Sequence, residues 1–214
     1  MRSRCAILAV AACLLLCLAG TAVAEEFFGP RIPTTYFATS GTGQSDEGIP
    51  PDPYETFSYD LALQEAGIEN FNVVYYTSVL PPESREVSLD SVRSSFRHGA
   101  VLEAIMAKAG GKKGDTAATG VGRVWAEDAQ GKYIGGFAAE YEFVYEGQLV
   151  SKEKAYAEAK AQLTKSLNHE LSIRGLKQRG EMVFTITSIQ IEKNYGMALS
   201  ALGFIGFIYP DPPK

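Results

Sequence analysis

The stretch Asn72-Val-Val-Tyr-Tyr-Thr-Ser-Val-Leu-Pro-Pro-Glu83 combines the signature of a short strand with a pair of reactive hydroxyls. The β-branched and aromatic residues Val73–Tyr76 favour a buried strand. Pro81-Pro82 ends it, because proline has no N–H to donate to a ladder. Thr77-Ser78 places two hydroxyls at the strand end beside this stiff turn, where a serine can attack the carbonyl just before it. The stretch is therefore a candidate for backbone chemistry as well as a core strand.

Upstream of this stretch, the first 24 residues have the pattern of a secretory signal peptide. Two arginines precede an apolar run from Cys5 to Ala19, and Ala22-Val23-Ala24 is a small-x-small cleavage signal. We expect residues 1–24 to be a leader and the mature protein, residues 25–214, to be exported to the periplasm or secreted. The apolar run is short for a stable membrane span. A retained anchor and a lipid-bearing Cys13 are the alternatives.

Removal of this leader changes what the composition implies about the disulfides, nucleophiles and partners of the mature protein. All three cysteines lie inside it, so the mature chain has neither a disulfide nor a thiol nucleophile. The leader holds two of the 20 Lys and Arg residues and none of the 25 Asp and Glu residues, which leaves a net charge of −7. This acidity argues against a nucleic-acid partner and suits a cationic ligand.

The mature chain has the size and apolar content of one domain, with 46% hydrophobic residues over the full sequence. Periodicity predicts two helices, at Pro53–Ala66 and Lys152–Arg174. It predicts further strands at Gly99–Ala107, Thr119–Ala126, Tyr133–Tyr145, Met182–Ile191 and Gly196–Tyr209. The glycine-rich segment Ser40–Gly48 is typical of a flexible loop. Many strands with few, separate helices indicate an α+β fold.

The spacing of residues supports both helices and marks one stripe on the second. In the first helix, Phe57, Asp60, Leu61 and Gln64 recur at spacings of three and four. In the second, capped by Ser151, one stripe carries Tyr156, Lys160, Leu163, Leu167, Leu171 and Arg174.

Few residues outside Thr77-Ser78 suggest chemistry by themselves. His98 and His169 lack partners at metal or triad spacing, and no Cys/His cluster indicates zinc. Glu140 and Glu142 share one face of a small, apolar strand, where a carboxylate is costly unless it is paired or functional. From the residues alone, Asp60 is best explained as a solvated position on its helix and Asn72 as a cap at the edge of a strand.

Four motifs in order resemble the pyruvoyl-dependent arginine decarboxylases: Asp60-Leu-Ala-Leu, Gly67-Ile-Glu-Asn-Phe-Asn72, Thr77-Ser-Val-Leu-Pro-Pro-Glu83 and Glu140-Tyr-Glu. Gly41-x-Gly with Ser45-Asp-Glu-Gly, His98-Gly-Ala-Val-Leu-Glu and Ala201-Leu-Gly-Phe look like the bacterial branch of that family. The resemblance spans about Ile32 to Phe207. Each motif alone is weak, and together they are specific.

The resemblance implies a four-layer αββα sandwich that cleaves itself between Thr77 and Ser78. The Ser78 hydroxyl would attack the Thr77 carbonyl, and elimination and hydrolysis would leave a pyruvoyl group derived from Ser78. The products would be a β chain, residues 25–77, and an α chain, residues 78–214. The family more often has serine before the scissile bond. Threonine here should preserve the chemistry, because its carbonyl is the group attacked.

The same resemblance implies the roles of the remaining candidates. The pyruvoyl carbonyl would form a Schiff base with the α-amine of L-arginine and accept the electrons released with CO₂, giving agmatine. Glu140 matches the acid that protonates the α-carbon, Asp60 the residue that pairs with the guanidinium, and Asn72 a polar residue beside the site. Trimers or dimers of trimers, with sites between subunits, are also implied.

Two alternatives remain at this stage. One is a pyruvoyl decarboxylase of another amino acid, such as lysine or ornithine. The other is an exported, non-catalytic binding protein of the same fold, in which Thr77-Ser78 only ends a strand. Polyamine metabolism and acid resistance are the roles expected from the family, in which most members look cytosolic, unlike a chain with an export signal.

Overall fold

The computed structural model describes residues 30–54 and 56–209, so the leader expected at residues 1–24 lies outside the described residues. Arg31–Ile208 forms one compact unit. The helices are α1 (Phe57–Ala66), α2 (Leu89–Val92) and α3 (Lys152–Ser172), with a 3₁₀ turn at Arg93–Ser95. The strands are β1 (Ile32–Ser45), β2 (Asn72–Tyr75), β3 (Val79–Leu80), β4 (Arg85–Glu86), β5 (Val101–Lys112), β6 (Thr116–Glu127), β7 (Tyr133–Tyr145), β8 (Lys177–Gln190) and β9 (Tyr195–Ile208).

These strands form two sheets that pack face to face. Sheet 1 has the order β2-β5-β9-β1-β4, and sheet 2 has the order β3-β7-β6-β8. Helix α1 packs on the outer face of sheet 1, and α3 packs on the outer face of sheet 2. The α+β class and the αββα layering expected from the sequence are therefore confirmed.

Each interface between layers has its own apolar cluster. Residues of α1 such as Leu63 pack with Leu102 and Leu199 of sheet 1. Between the sheets lie Leu202 and Phe204 of sheet 1, with Val121 and Ala138 of sheet 2. On the far side Leu163, Leu167 and Leu171 of α3 pack on sheet 2. Burial of these side chains is the main stabilising contribution to the sandwich.

Polar side chains also join the sheets. Arg123 of sheet 2 is 3% exposed, and its Nε donates to Glu86 Oε2 of sheet 1 at 3.0 Å. Thr119 and Ser200, both fully buried, share a hydrogen bond of 3.1 Å between the sheets. Such pairs must be satisfied because a buried polar group without a partner is destabilising.

The prediction of a flexible loop at Ser40–Gly48 is wrong for most of this segment. Residues to Ser45 belong to β1, which pairs with β9 over its whole length. The glycines serve close packing rather than flexibility, because a Cβ on Gly41 would overlap the carbonyl oxygen of Ala62 in α1 and lie 2.7 Å from Ala66 N. Gly43 similarly leaves room for the backbone carbonyl of Ser58 in α1.

We expect Gly41→Ala to lower the free energy of unfolding by about 2–3 kcal/mol, because the added methyl must push α1 off β1. Urea unfolding would measure the change, with Ser40→Ala as the matched control on the same strand. Equal stability of the two variants would show that α1 does not pack tightly on Gly41.

The same close packing decides which faces of the two helices are buried, and the stripe predicted on the second helix is buried only in part. The side of α1 against the sheet carries Ser58, Ala62 and Ala66, so Phe57 and Leu61 are 37% and 43% exposed. In α3 the leucines are buried as expected. At its N-terminal half Ala155 and Ala159 face the sheet, and Tyr156 and Lys160 are exposed together with Arg174 at the far end. Small side chains let each helix approach its own sheet closely. The spacing of the large residues does not reveal this close approach.

Candidate active site

The Thr77–Ser78 bond lies where the chain crosses from one sheet to the other. Strand β2 pairs in parallel with β5 in sheet 1, and β3 pairs antiparallel with β7 in sheet 2. Just before the bond, Tyr76 N–H donates to Ala104 O at 2.8 Å; just after it, Ser78 O accepts from Ala138 N–H at 2.8 Å. Each side of the bond is thus held by a different sheet, and scission here would leave both new ends anchored.

The bond is also accessible. Thr77 is exposed and Ser78 is half-buried. No described residue forms a hydrogen bond with the Ser78 hydroxyl, so it is available for reaction. A cavity of about 410 Å³ adjoins the bond and is lined by Arg31, Ile32, Pro33, Tyr76, Thr77, Val79 and Pro81. The arrangement permits intramolecular attack by Ser78 on the Thr77 carbonyl.

Glu140 lies on β7, two residues beyond Ala138, and therefore about 7 Å along the strand from the residue that binds Ser78. Its side chain leaves the same face of β7 as that of Ala138, which packs between the sheets, but Glu140 itself is exposed. Desolvation raises the pKa of Glu140, and the negative charges of Glu142 and Glu170 raise it further, against a lowering by its own backbone N–H. A proton donor near Ser78 requires this direction.

Glu142 shares that face and spans the sheets. Its Oε1 accepts the backbone N–H of Lys108, at 2.8 Å, beyond the point where β2 stops covering the edge of β5. Because β3 covers only Val79–Leu80, the edge of β7 past Ala138 is open as well. The two open strand edges and the two glutamates lie on the side of the sandwich where the chain passes through Ser78, and we call this region the Ser78 cleft.

Asn72 lies at the opposite end of β2, about 16 Å along the extended chain from Thr77. Its Nδ2 donates to Gly99 O at 2.9 Å, and its N–H donates to Ala100 O at 2.8 Å. In the single chain this side chain fixes the turn before β5 and does not approach Ser78.

Asp60 lies on the exposed side of α1, in the outer layer of the sandwich. Among the described residues its carboxylate has no hydrogen bond or ion pair. The single chain therefore brings Thr77, Ser78 and Glu140 together and leaves both Asp60 and Asn72 apart from them.

Sequence reasoning overlooked a buried carboxylate beside the scissile bond. Glu103 of β5 is 5% exposed, accepts a hydrogen bond from the Tyr76 hydroxyl, and pairs with Arg31. The signal was present in the sequence, because Glu103 is the only charged residue of the strand predicted at Gly99–Ala107. A charge in an apolar strand was also the feature that singled out Glu140.

The described residues contain neither a metal-binding cluster nor a helix that could span a membrane. No group of three or more His, Cys, Asp or Glu side chains in residues 30–54 and 56–209 converges as metal ligands would. None of the helices in this part of the chain is long and apolar enough to cross a membrane.

Comparison with known proteins agrees with the resemblance seen in the motifs. Residues 35–208 match the family model described as pyruvoyl-dependent arginine decarboxylase. The chain is 46% identical over 192 residues, 87% of its length and 98% of the relative's, to the pyruvoyl-dependent arginine decarboxylase AaxB of Chlamydia pneumoniae. It is 47% identical over 190 residues, 86% and 97% of the two lengths, to the protein of that name in Chlamydia caviae. It is 30% identical over 178 residues, 81% and 98% of the two lengths, to pyruvoyl-dependent arginine decarboxylase 2 of Archaeoglobus fulgidus. The chain belongs to the pyruvoyl-dependent arginine decarboxylase family.

Proposed function

We propose that this protein decarboxylates L-arginine to agmatine and CO₂, using a pyruvoyl group made from its own Ser78. The observation that carries the proposal is the position of the Thr77–Ser78 bond, exposed between two separately anchored edge strands and next to the strand of Glu140. The family membership of nearly the whole chain supports the same activity.

Maturation begins with attack of Ser78 Oγ on the Thr77 carbonyl carbon, which converts the peptide into an ester and frees the Ser78 nitrogen. Loss of the Ser78 α-proton and of the Thr77 carboxylate then gives a dehydroalanine. Hydrolysis consumes one water, releases ammonia and leaves a pyruvoyl group at the start of the α chain. The β chain ends at Thr77 and stays in sheet 1 through β1 and β2.

The residues at the cleft fit this group. Ser78, its only precursor, has a hydroxyl with no partner among the described residues and a carbonyl fixed by Ala138 N–H at 2.8 Å. The pyruvoyl carbonyl supplies an electron sink for loss of CO₂. Glu140 holds the proton that is delivered to the substrate α-carbon, and desolvation keeps that carboxyl protonated to higher pH than an ordinary glutamate.

Self-association would complete the site, since Asp60 and Asn72 lie away from Ser78 within one chain. Both regions expose apolar side chains suited to an interface: Phe57 and Leu61 flank Asp60, and Tyr75 and Val79, 50% and 58% exposed, flank the scissile bond. We infer a trimer or a dimer of trimers in which Asp60 of one subunit meets the Ser78 cleft of another. There its carboxylate would bind the substrate guanidinium through two parallel hydrogen bonds.

We expect Asp60→Asn to lower kcat/KM for arginine about 10- to 100-fold, because a charge-assisted pair becomes a neutral contact. Cleavage into two chains should be unaffected. Steady-state agmatine production measures the first, and intact mass measures the second.

Asp90→Asn is the matched control for this substitution, since the Asp90 carboxylate is 92% exposed on α2. Undiminished arginine activity in Asp60→Asn would refute the guanidinium assignment. Lost cleavage would instead point to a structural role for Asp60.

We also propose that residues 1–24 direct export, so that the enzyme acts on external arginine. Decarboxylation consumes a proton and yields agmatine, which supports roles in acid resistance and polyamine metabolism. Self-made pyruvoyl suits an exported enzyme because no cofactor has to accompany it.

The deciding experiment combines intact mass under denaturing conditions with a substrate panel. Two chains split after Thr77, the α chain lighter by one ammonia than a serine-started fragment, establish the pyruvoyl group. Product formation from arginine, lysine and ornithine then fixes the substrate. A single uncleaved chain after long incubation would leave the non-catalytic binding protein.

A further inference from the structure

A buried carboxylate holds the end of β2 and an arginine together at the scissile bond. Glu103 Oε2 accepts from the hydroxyl of Tyr76, the residue before Thr77, and Glu103 Oε1 contacts Arg31 Nη2. The Tyr76 ring packs at 5.4 Å from that of Phe204, so it lies in the layer between the sheets. Glu103 is thus placed to fix the position of Arg31 relative to Thr77.

The contact with Glu103 positions Arg31 without occupying all of its N–H donors. Its guanidinium lies over the Phe207 ring at 4.8 Å, and its side chain remains 44% exposed. It lines the same cavity of about 410 Å³ as Thr77. A guanidinium carries five N–H donors in a fixed fork, so one nitrogen can contact Glu103 while others face the cavity.

A cation at this place would favour the maturation chemistry. In the elimination step a base removes the α-proton of residue 78, the Cα–Cβ double bond forms and the Cβ–Oγ bond breaks. The electron pair of that bond leaves on Thr77, which becomes a carboxylate. Negative charge therefore develops on Thr77 and is absent from the amide and the ester that precede it.

We propose that Arg31, positioned by Glu103, binds the departing Thr77 carboxylate and so accelerates the elimination that makes the pyruvoyl group. This inference rests on the proposed function. Guanidinium and carboxylate match as a fork pair, and donors aimed at developing charge lower the barrier to its formation. After cleavage the same site retains the new C-terminus of the β chain.

The test separates the ester-forming step from the elimination. Full-length precursor is made by brief cell-free synthesis, and its cleavage is followed by intact mass with and without hydroxylamine. Hydroxylamine cuts the ester directly, giving a β chain that ends in a Thr77 hydroxamate and an α chain that starts with serine. The rate with hydroxylamine therefore reports the acyl shift, and the rate without it reports the elimination.

For Arg31→Gln we expect pyruvoyl formation without hydroxylamine to be slower by about tenfold or more. This is less than the roughly 10²–10³-fold cost of removing a fully enclosed donor, because Arg31 is half exposed. With hydroxylamine, Arg31→Gln should be cut at the wild-type rate, which also shows that the variant folds. Arg31→Lys should recover part of the loss, because it restores the charge but not the fork.

Arg179→Gln is the matched control, since Arg179 is a half-exposed, ion-paired arginine on β8 at the far edge of sheet 2. Wild-type elimination in Arg31→Gln would overturn the inference. Equal slowing with and without hydroxylamine would also overturn it, because Arg31 would then act on the fold or the acyl shift. If wild-type precursor is never cleaved, the proposed function itself fails and this inference falls with it.

Discussion

Replacing Ser78 by alanine leaves the chain in one piece and without decarboxylase activity. Alanine has no Oγ to attack the Thr77 carbonyl, so neither the ester nor the pyruvoyl group can form. Activity toward arginine should fall by at least about 10³-fold, to the assay background, since the electron sink is missing altogether. Intact mass and agmatine production measure the two effects.

The fold should survive this change, because Ser78 is anchored through its carbonyl, which accepts from Ala138 N–H, and not through its hydroxyl. Ser84→Ala is the matched control: it removes a nearby hydroxyl, 3.5 Å from Pro33 O, that no step uses. It should cleave at the wild-type rate. A Ser78→Ala chain that still splits after Thr77 would disprove the assignment of the nucleophile.

Glu140→Gln is expected to lower kcat by about 10²–10⁴-fold per pyruvoyl-bearing chain, the usual range for loss of a general acid. The amide has nearly the same shape but cannot deliver a proton to the α-carbon. Counting pyruvoyl groups by intact mass separates this loss from any failure to mature. Glu146→Gln, a substitution of an exposed residue just after β7, provides the control. Full turnover in Glu140→Gln would assign the proton donor elsewhere.

The pH profile tests the same role. A donor must be protonated, so kcat should be high below the pKa of Glu140 and fall as pH rises through it. Desolvation raises that pKa, which moves the fall to higher pH than for an ordinary glutamate. Glu142→Gln removes one of the like charges, lowers the pKa of Glu140 and should shift the fall to lower pH, while its amide oxygen still accepts Lys108 N–H. A profile unchanged by this substitution would contradict the electrostatic coupling.

Local patterns in the sequence predict most of the elements. The hairpin of β6 and β7, the Ser151 cap of α3 and the left-handed Gly67 that ends α1 follow from alternation, capping and glycine chemistry. Thr77-Ser78 and Glu140 also stand out locally, one as a hydroxyl pair before two prolines and the other as a charge in an apolar strand. Each of these signals depends on near neighbours in the chain.

The tertiary structure decides what distant residues do to one another. Gly41 belongs to a strand because it pairs with β9, and a glycine is required there because the backbone of α1 lies against it, contacts that the glycine spacing alone does not show. Glu103 becomes the anchor of Tyr76 and Arg31 only because β1, β2 and β5 converge at one end of the sandwich. The sequence by itself determined most of the elements and singled out the candidate scissile bond, since those signals arise from local sterics and hydrogen bonding. The surroundings of that bond arise from packing between strands far apart in the chain, which only the folded structure specifies.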